Sequence, residues 1–406
     1  MFRKISDLYR QAYSGLPGRA WVLFAVNLIN SSGSMVIFFL SLYLTRKLGF
    51  STAQAGTVLS LYGFGSLGGA YLGGWLADRF GSIAVQKASL AICGVMLIAL
   101  GQARGAAAIS PLIFFFALAA GALYPANATT MSRVCPPDLQ VKGFALTRLA
   151  NNLGATIGPA VGGLLALRDY RLLFWADGLT SLLAAAALAL LWKSPESETR
   201  LPKADRVKPK PGQSPWRDGP FLLLVLLWLV WSAIFIQVFV TFPLYIRNVY
   251  GLAENRIGQL LAVNTIMIVV LEMILMEKIR KYPLTLVINF SFIMLGAGLG
   301  LMPLGRGFAF AAFTVAVWTF GEMLSMPLVS ALIAGRADHS TRGRYMGIFS
   351  LGFSLAFIIA PTAGTAVYGR FGGDALWFGC AGVSFLLAAA FWLLRPALAK
   401  KTAQGV

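Results

Sequence analysis

The chain has 406 residues, 58% hydrophobic and 12% charged, with 34 Lys and Arg against 15 Asp and Glu for a formal charge of +19. Soluble domains carry about 25% charged residues, so a mean hydropathy of +0.73 excludes an ordinary soluble enzyme or binding module and points to the membrane class. A basic chain could serve nucleic acid, but the placement of the charges given below speaks for membrane topology instead.

The first residues, MFRKISDLYRQAYSGLPGRA, form a short basic amphipathic lead-in. The uncharged run behind them, Trp21–Thr45, is 25 residues long. That is too long for the apolar part of a cleavable signal and enough for a spanning helix, which needs roughly 20 residues. Asn27, Asn30, Ser31 and Ser34 recur at i, i+3, i+4 and i+7, one polar face in an apolar helix. Such a face turns away from lipid, either toward a cavity or into hydrogen bonds with a neighbouring helix. Span 2, about 52–77, ends in GGWLADRFG, Gly73–Gly81, where Asp78 can pair with an arginine or cap a helix. Span 3 covers about 82–103. Span 4, Gly105–Ser132, carries Tyr124 and Asn127 and ends at Arg133.

Arg148, Asn151 and Asn152 lead into span 5, Leu149–Leu167, which holds NNLGATIGPAVGG. Gly154, Gly158 and Gly162 lie four apart on one helix face, and small residues let membrane helices approach closely. Pro159 removes a backbone hydrogen bond and bends the helix, and Gly163 follows. The stripe suits sliding contact between helices; plain tight packing uses the same residues. Span 6 covers about 172–192, with Asp177 near its start.

The segment 193–218 is rich in proline and basic residues and reads as a linker between an N-terminal half, 1–192, and a C-terminal half, 219–406. The halves are related in sequence. Asp138, Lys142 and Gly143 match Asp338, Arg342 and Gly343 at a constant offset of 200, and Pro159 finds a partner in Pro361. SLLAAAALALL from Ser181 is similar to SFLLAAAFWLL from Ser384. Two parallel six-helix repeats account for this series.

The second half continues with Gly219–Ile246, carrying Trp231 and Gln237, then about 254–276 with Asn264 and Glu272, Tyr282–Gly305, about 307–334 with Trp318 and Glu322, Tyr345–Gly369 and Ala375–Leu394. That makes twelve predicted spans. With the N-terminus inside, 25 of the 34 Lys and Arg fall on the inner side. Both termini are therefore expected in the cytoplasm, and no nucleic-acid partner is needed.

Few acids are embedded. Glu322 and Glu272 lie within spans, and Asp177 near the outer end of span 6. A charge at mid-membrane costs about 3 kcal/mol on insertion scales, so these three carboxyls are the candidates for proton coupling. Asn264 shares a helix face with Glu272. Tyr124, Asn127, Asn152, Trp231, Gln237, Asn264 and Trp318, with Asn27, Asn30 and Ser34, are the candidate cavity residues; their aromatic and amide groups suit amphipathic or cationic molecules. Cys93, Cys135 and Cys380 are far apart, and the lone His339 sits in a predicted loop. No metal site, cofactor, catalytic set or phosphate-binding loop is expected.

NNLGATIGPAVGG resembles the antiporter motif on the fifth helix of drug:proton exporters of the major facilitator superfamily, through Gly154, Gly158, Pro159, Gly162 and Gly163. GGWLADRFG resembles that superfamily's loop between helices 2 and 3, through Gly74, Asp78, Arg79 and Gly81; the basic pair usual after the last glycine is absent. WTFGEMLSMP resembles a Gly-Glu…Pro stretch on helix 10 of multidrug exporters, where the glutamate takes part in proton or cation handling. The resemblance implies an all-α membrane protein with twelve helices in two pseudo-symmetric halves. It implies a monomeric inner-membrane transporter that exchanges protons for an amphipathic drug or metabolite by alternating access. Asp78 would brace the start of helix 11 near Gly343–Gly347, with Arg133 as a candidate partner. Span 4 lacks the embedded arginine common in proton-coupled members, leaving Arg148 as the nearest substitute, and span 1 has no acid. Coupling is therefore expected in the C-terminal half. Import of a solute by symport or uniport, and lipid flipping, are the rival expectations.

Overall fold

The computed structural model describes residues 14–136, 139–192, 214–337 and 341–402. The repeat-matched Asp138 and Asp338, His339 and most of the linker lie outside these residues. Among the described residues the fold is all-helical. The helices are α1 (Gly18–Gly33), α2 (Val36–Leu42, continued by a π-turn Tyr43–Lys47), α3 (Thr52–Phe80), α4 (Ser82–Gln102), α5 (Ala106–Val134), α6 (Gln140–Arg168) and α7 (Arg171–Leu191). After the linker come α8 (Gly219–Val240), α9 (Phe242–Asn248), α10 (Glu254–Ile279), α11 (Leu284–Leu301), α12 (Phe308–Arg336), α13 (Arg342–Phe371) and α14 (Gly373–Thr402).

Among the described residues, ten segments, counting α1 with α2 as one, are long and apolar enough to cross a membrane. The other two of the twelve predicted spans are α3 and α6, each 29 residues long. At 1.5 Å per residue they reach about 43 Å, and only their glycine and polar content dilutes their apolarity.

Two predicted spans prove to be interrupted. The run Trp21–Thr45 breaks at Ser34, between α1 and α2. The run Gly219–Ile246 breaks at Thr241, two residues before Pro243, whose ring nitrogen cannot continue the ladder.

The chain divides into two compact units: Met1–Ile37 with Phe64–Ala204, and Phe38–Gly63 with Asp205–Val406. The short stretch 38–63 thus groups with the second unit, although it precedes the linker.

In the first unit, α4 packs on α5 and α7, and α1 on α6 and α7. The later part of α3 meets α5 through glycines four residues apart. A Cβ at Gly65 would lie 2.4 Å from the Phe114 carbonyl oxygen, one at Gly69 2.0 Å from that of Leu118, and one at Gly73 2.4 Å from Ala122 Cα. The two helices touch backbone to backbone, the arrangement that small residues at four-residue spacing permit in lipid. Gly81, at φ +93°, links α3 to α4 in a conformation that other residues avoid. A buried polar knot then fixes α4 on α5: Gln86 Nε2 donates to Thr130 Oγ1 at 2.6 Å, and Thr130 donates to Ser82 Oγ at 2.8 Å.

In the second unit, α8 packs on α13 and α14, α11 on α12 and α14, and α10 on α12. The start of α3 lies on α13. Ser60 and Thr362 hydroxyls are 2.8 Å apart, and a Cβ at Gly63 would lie 2.6 Å from the Phe357 carbonyl carbon.

Candidate functional site

The three candidate carboxyls have different surroundings. Glu322 stands on α12, half-buried, and Asn264 on α10, buried. Asn264 Nδ2 donates to Glu322 Oε2 at 2.7 Å and to Thr319 Oγ1 at 3.0 Å. Thr319 in turn donates to the Val315 carbonyl at 2.6 Å, which leaves its oxygen free to accept. Thr319 and Glu322 are three residues apart and share a face of α12. Gly321 works on the neighbouring face: a Cβ there would lie 2.6 Å from Leu295 N, so α12 presses against α11 while Glu322 turns to α10. Glu272 is buried on α10 two turns beyond Asn264, on the same face. The spans α10 and α12 therefore hold a carboxyl, an amide and a hydroxyl in direct contact, with a second carboxyl further along.

Asp177 is different. It is buried on α7, and its Oδ2 accepts from the backbone N–H groups of Met35 and Val36, at 3.2 Å each. It caps the new helix start created by the break in span 1. Gly33 beside the break has no room for a side chain, since a Cβ would meet Thr180 Oγ1 at 1.7 Å.

The polar face of α1 divides among three neighbours. Asn127 Nδ2 on α5 donates to Asn27 Oδ1 at 2.8 Å, Ser31 to Asn151 on α6 at 3.1 Å, and Ser181 on α7 to Asn30 Oδ1 at 3.3 Å. Ser34 donates to the Asn30 carbonyl. Of the two outcomes expected for this face, helix–helix bonding accounts for Asn27, Asn30 and Ser31, while Ser34 bonds back to its own segment. The glycine stripe of α6 meets the same place. A Cβ at Gly154 would lie 2.4 Å from Ser31 Cβ, and one at Gly158 3.1 Å from the Ser34 carbonyl oxygen. Gly162 and Gly163 are buried further along α6, beyond Pro159. Asn152 is half-buried on that helix, its carbonyl accepting from Thr156.

Other candidates for the cavity are mostly in the core. Trp231 is fully buried, stacked between Trp228 at 4.5 Å and Phe235 at 5.2 Å. Trp318 fills the space above Gly298, where a Cβ would lie 2.4 Å from Trp318 N. Both indole nitrogens are buried without a hydrogen-bond partner among the described residues. Gln237 ties α8 to α13 by donating to the Ala360 carbonyl at 2.8 Å and accepts from Thr241 at 3.0 Å. Tyr124 is 78% exposed.

Of the residues assigned to gating, Gly74 has open space around it, and Asp78 is exposed. The Arg79 guanidinium lies 5.4 Å from the Trp75 ring centre and 5.5 Å from that of Phe80. Arg133 is half-buried, its Nε without a hydrogen-bond partner among the described residues, and Arg148 is exposed.

Sequence reading missed one cluster. Asp218, immediately before α8, accepts two bonds from Arg336 at the end of α12, at 2.7 and 2.9 Å, and one from the Tyr345 hydroxyl on α13 at 3.0 Å. Arg336 also donates to the carbonyls of Ala397 and Leu398 on α14. Burial pushes the Asp218 carboxyl up, but Arg336, Tyr345 and the Phe221 N–H outweigh it and hold the group at about 2. No local motif announces this knot, because its members are 118 and 127 residues apart.

Comparison with known proteins places this arrangement in a family. The family model for the Major Facilitator Superfamily matches residues 22–340 and 320–405. A Na(+), Li(+), K(+)/H(+) antiporter of Planococcus maritimus is 26% identical over 367 residues, covering 82% of this chain and 85% of that protein. The multidrug resistance protein MdtH of Photorhabdus laumondii is 26% identical over 361 residues, covering 86% of each. Among solved structures, a POT family transporter bound to a thioalcohol-conjugated peptide superposes with a TM-score of 0.80 at 15% identity, over 96% of this chain and 98% of that one. The nucleoside transporter NupG superposes at 0.78 with 16% identity, over 93% and 98%. The chain belongs to the Major Facilitator Superfamily and is a multi-pass membrane transporter.

Proposed function

We propose that the chain is a proton-coupled exporter of amphipathic drugs or metabolites, with Glu322 as the proton-carrying group. The observation that carries this reading is the Glu322–Asn264–Thr319 cluster, a carboxyl held by an amide that also donates to a hydroxyl within a spanning segment. A carboxyl in that position costs free energy, and such residues mark proton or ion pathways; a neutral amide, both donor and acceptor, can pair with it protonated or ionised. Glu272, on the same face of α10, offers a second station. Relatives named as an antiporter and as multidrug resistance proteins support the direction of transport. In this reading the chain works as a monomer in the inner membrane with both termini in the cytoplasm. Its two halves, 1–192 and 219–406, alternate access around the segment 193–218.

The test is ethidium efflux from exporter-deficient cells, with and without an uncoupler, for the native chain and Glu322→Gln. Uncoupler-sensitive efflux lost in the variant is the expected result. Efflux that survives the substitution moves the coupling to Glu272, and absence of efflux from the native chain removes the broad-drug reading.

A second reading, exchange of a monovalent cation for protons, is favoured by the oxygen-rich character of the same cluster and by the Planococcus relative. Everted vesicles carrying a pH-sensitive dye distinguish the two. Sodium or potassium pulses that collapse an imposed proton gradient support cation exchange, and ethidium alone doing so supports drug export.

A further inference from the structure

Helices α11 and α14 run antiparallel. Phe292 meets Phe391 with ring centres 5.6 Å apart. A Cβ at Gly296 would lie 2.8 Å from Ser384 Cβ, and one at Gly300 2.8 Å from Ala381 Cβ. Each step forward on α11 is thus a step back on α14, and the two glycines close the pair tightly at one end. Toward the other end a groove of about 460 Å³ opens, lined by Asn289 and Ile293 on one side and Phe385, Ala389, Trp392 and Leu393 on the other.

Two features of this groove are not those of a plain lipid-facing furrow. The Asn289 amide oxygen is buried and has no hydrogen-bond partner among the described residues, although an unsatisfied polar group within a membrane is costly. The Arg395 guanidinium sits over the face of Trp392, 3.3 Å from its ring centre, one turn beyond the groove along α14. The sequence around this end is strongly basic: Lys278, Arg280 and Lys281 precede α11, and Lys400 and Lys401 follow Arg395, against the single acid Glu277. Glu277 itself lies 3.9 Å from Arg280. A second groove on the other side of α11, lined by Leu275, Ile279, Tyr282, Leu286, Phe290 and Phe320, contains no amide or charged side chain. It provides an internal comparison.

We propose that the groove between α11 and α14 holds one acyl chain of an anionic phospholipid, with the phosphate on Arg395 and an ester carbonyl accepting from the Asn289 amide N–H. An apolar trough, an aromatic ring at its mouth and a cation stacked on that ring match the three parts of such a lipid in order. Basic residues at the membrane boundary attract anionic headgroups, and interfacial tryptophan favours that depth. The site is independent of the Glu322 cluster and of the transported substrate.

The test uses the purified full chain in detergent and native mass spectrometry, with phosphatidylglycerol and phosphatidylcholine of identical acyl chains as probes. The native chain should retain phosphatidylglycerol at concentrations about tenfold below those needed for phosphatidylcholine. Arg395→Ala should erase the preference, Arg395→Lys should keep most of it, and Asn289→Leu should weaken retention. Leu286→Ala, in the second groove, should leave it unchanged. Equal retention of the two lipids by the native chain, or a preference that survives Arg395→Ala, overturns the proposal. A photoreactive acyl chain on phosphatidylglycerol gives a readout on the native chain alone. Labels concentrated on Ile293, Phe385 and Leu393 support the site, labels spread evenly around the helices overturn it, and a dimer whose formation excludes the label shows that a second copy fills the groove.

Discussion

Asn264 is the residue on which the proposed coupling most directly depends. It places two donors on one carboxyl oxygen and one hydroxyl, so its loss leaves Glu322 to find other partners. Asn264→Val should cut uncoupler-sensitive transport by about tenfold or more and change its dependence on external pH, while the protein still reaches the membrane. Transport with an unaltered pH profile would show that the amide only packs α10 on α12. The sequence allowed Glu322 and Asn264 to be named separately, one through a family-like stretch and one through its face on a helix. It could not join them, since 58 residues separate the two and nothing local fixes how far α12 is rotated. That rotation comes from Gly321 pressing on Leu295. Asp177 shows the opposite case. An embedded acid suggests a proton carrier, yet its two backbone bonds make it the cap of α2, and only the break in span 1 creates the need.

At the scale of elements, the existence of the spans was legible because a bilayer demands long apolar runs. The interruptions at Ser34 and Thr241 were not, because each is stabilised by partners distant in the chain or by a proline that also fits an unbroken membrane helix. Close helix contacts make a sharp prediction. Gly69 meets the Leu118 carbonyl oxygen, whereas Gly74 has nothing within 4 Å. Gly69→Leu must push α3 from α5 and should abolish monodisperse protein on size-exclusion chromatography. Gly74→Ala should purify as well as the native chain; loss of transport in that variant would show that Gly74 serves motion rather than packing. The capped break is testable by the same logic. Asp177→Ala removes acceptors from two amides, a loss of about 1–3 kcal/mol for each group left unsatisfied. Asp177→Asn keeps one acceptor oxygen and should restore most of the lost thermal stability; transport abolished equally by both substitutions at native stability would make Asp177 a proton carrier after all.

On the scale of the whole molecule, the buried knot of Asp218, Arg336 and Tyr345 joins the start of α8 to the ends of α12 and α14 and the first turn of α13. Four segments of the second unit therefore depend on one ion pair. Breaking a buried pair by removing one partner costs about 3–5 kcal/mol, because the remaining charge stays buried. Asp218→Asn should lower the unfolding temperature far more than a change at the exposed pair Arg280–Glu277, whose contribution is about 0–1 kcal/mol. The pH dependence has a definite sign. The carboxyl lies at about 2 in the folded chain and at about 3.9 when unfolded, so the folded state binds the proton more weakly. The knot's contribution is complete above pH 4 and disappears as the pH falls from about 4 to 2. Thermal unfolding of detergent-purified protein across that window should show the native chain losing stability toward acid. Asp218→Asn, already deprived of the pair, should follow a flatter curve. Parallel curves for the two proteins would mean that other carboxyls govern acid unfolding and that the knot contributes little to holding the four segments together.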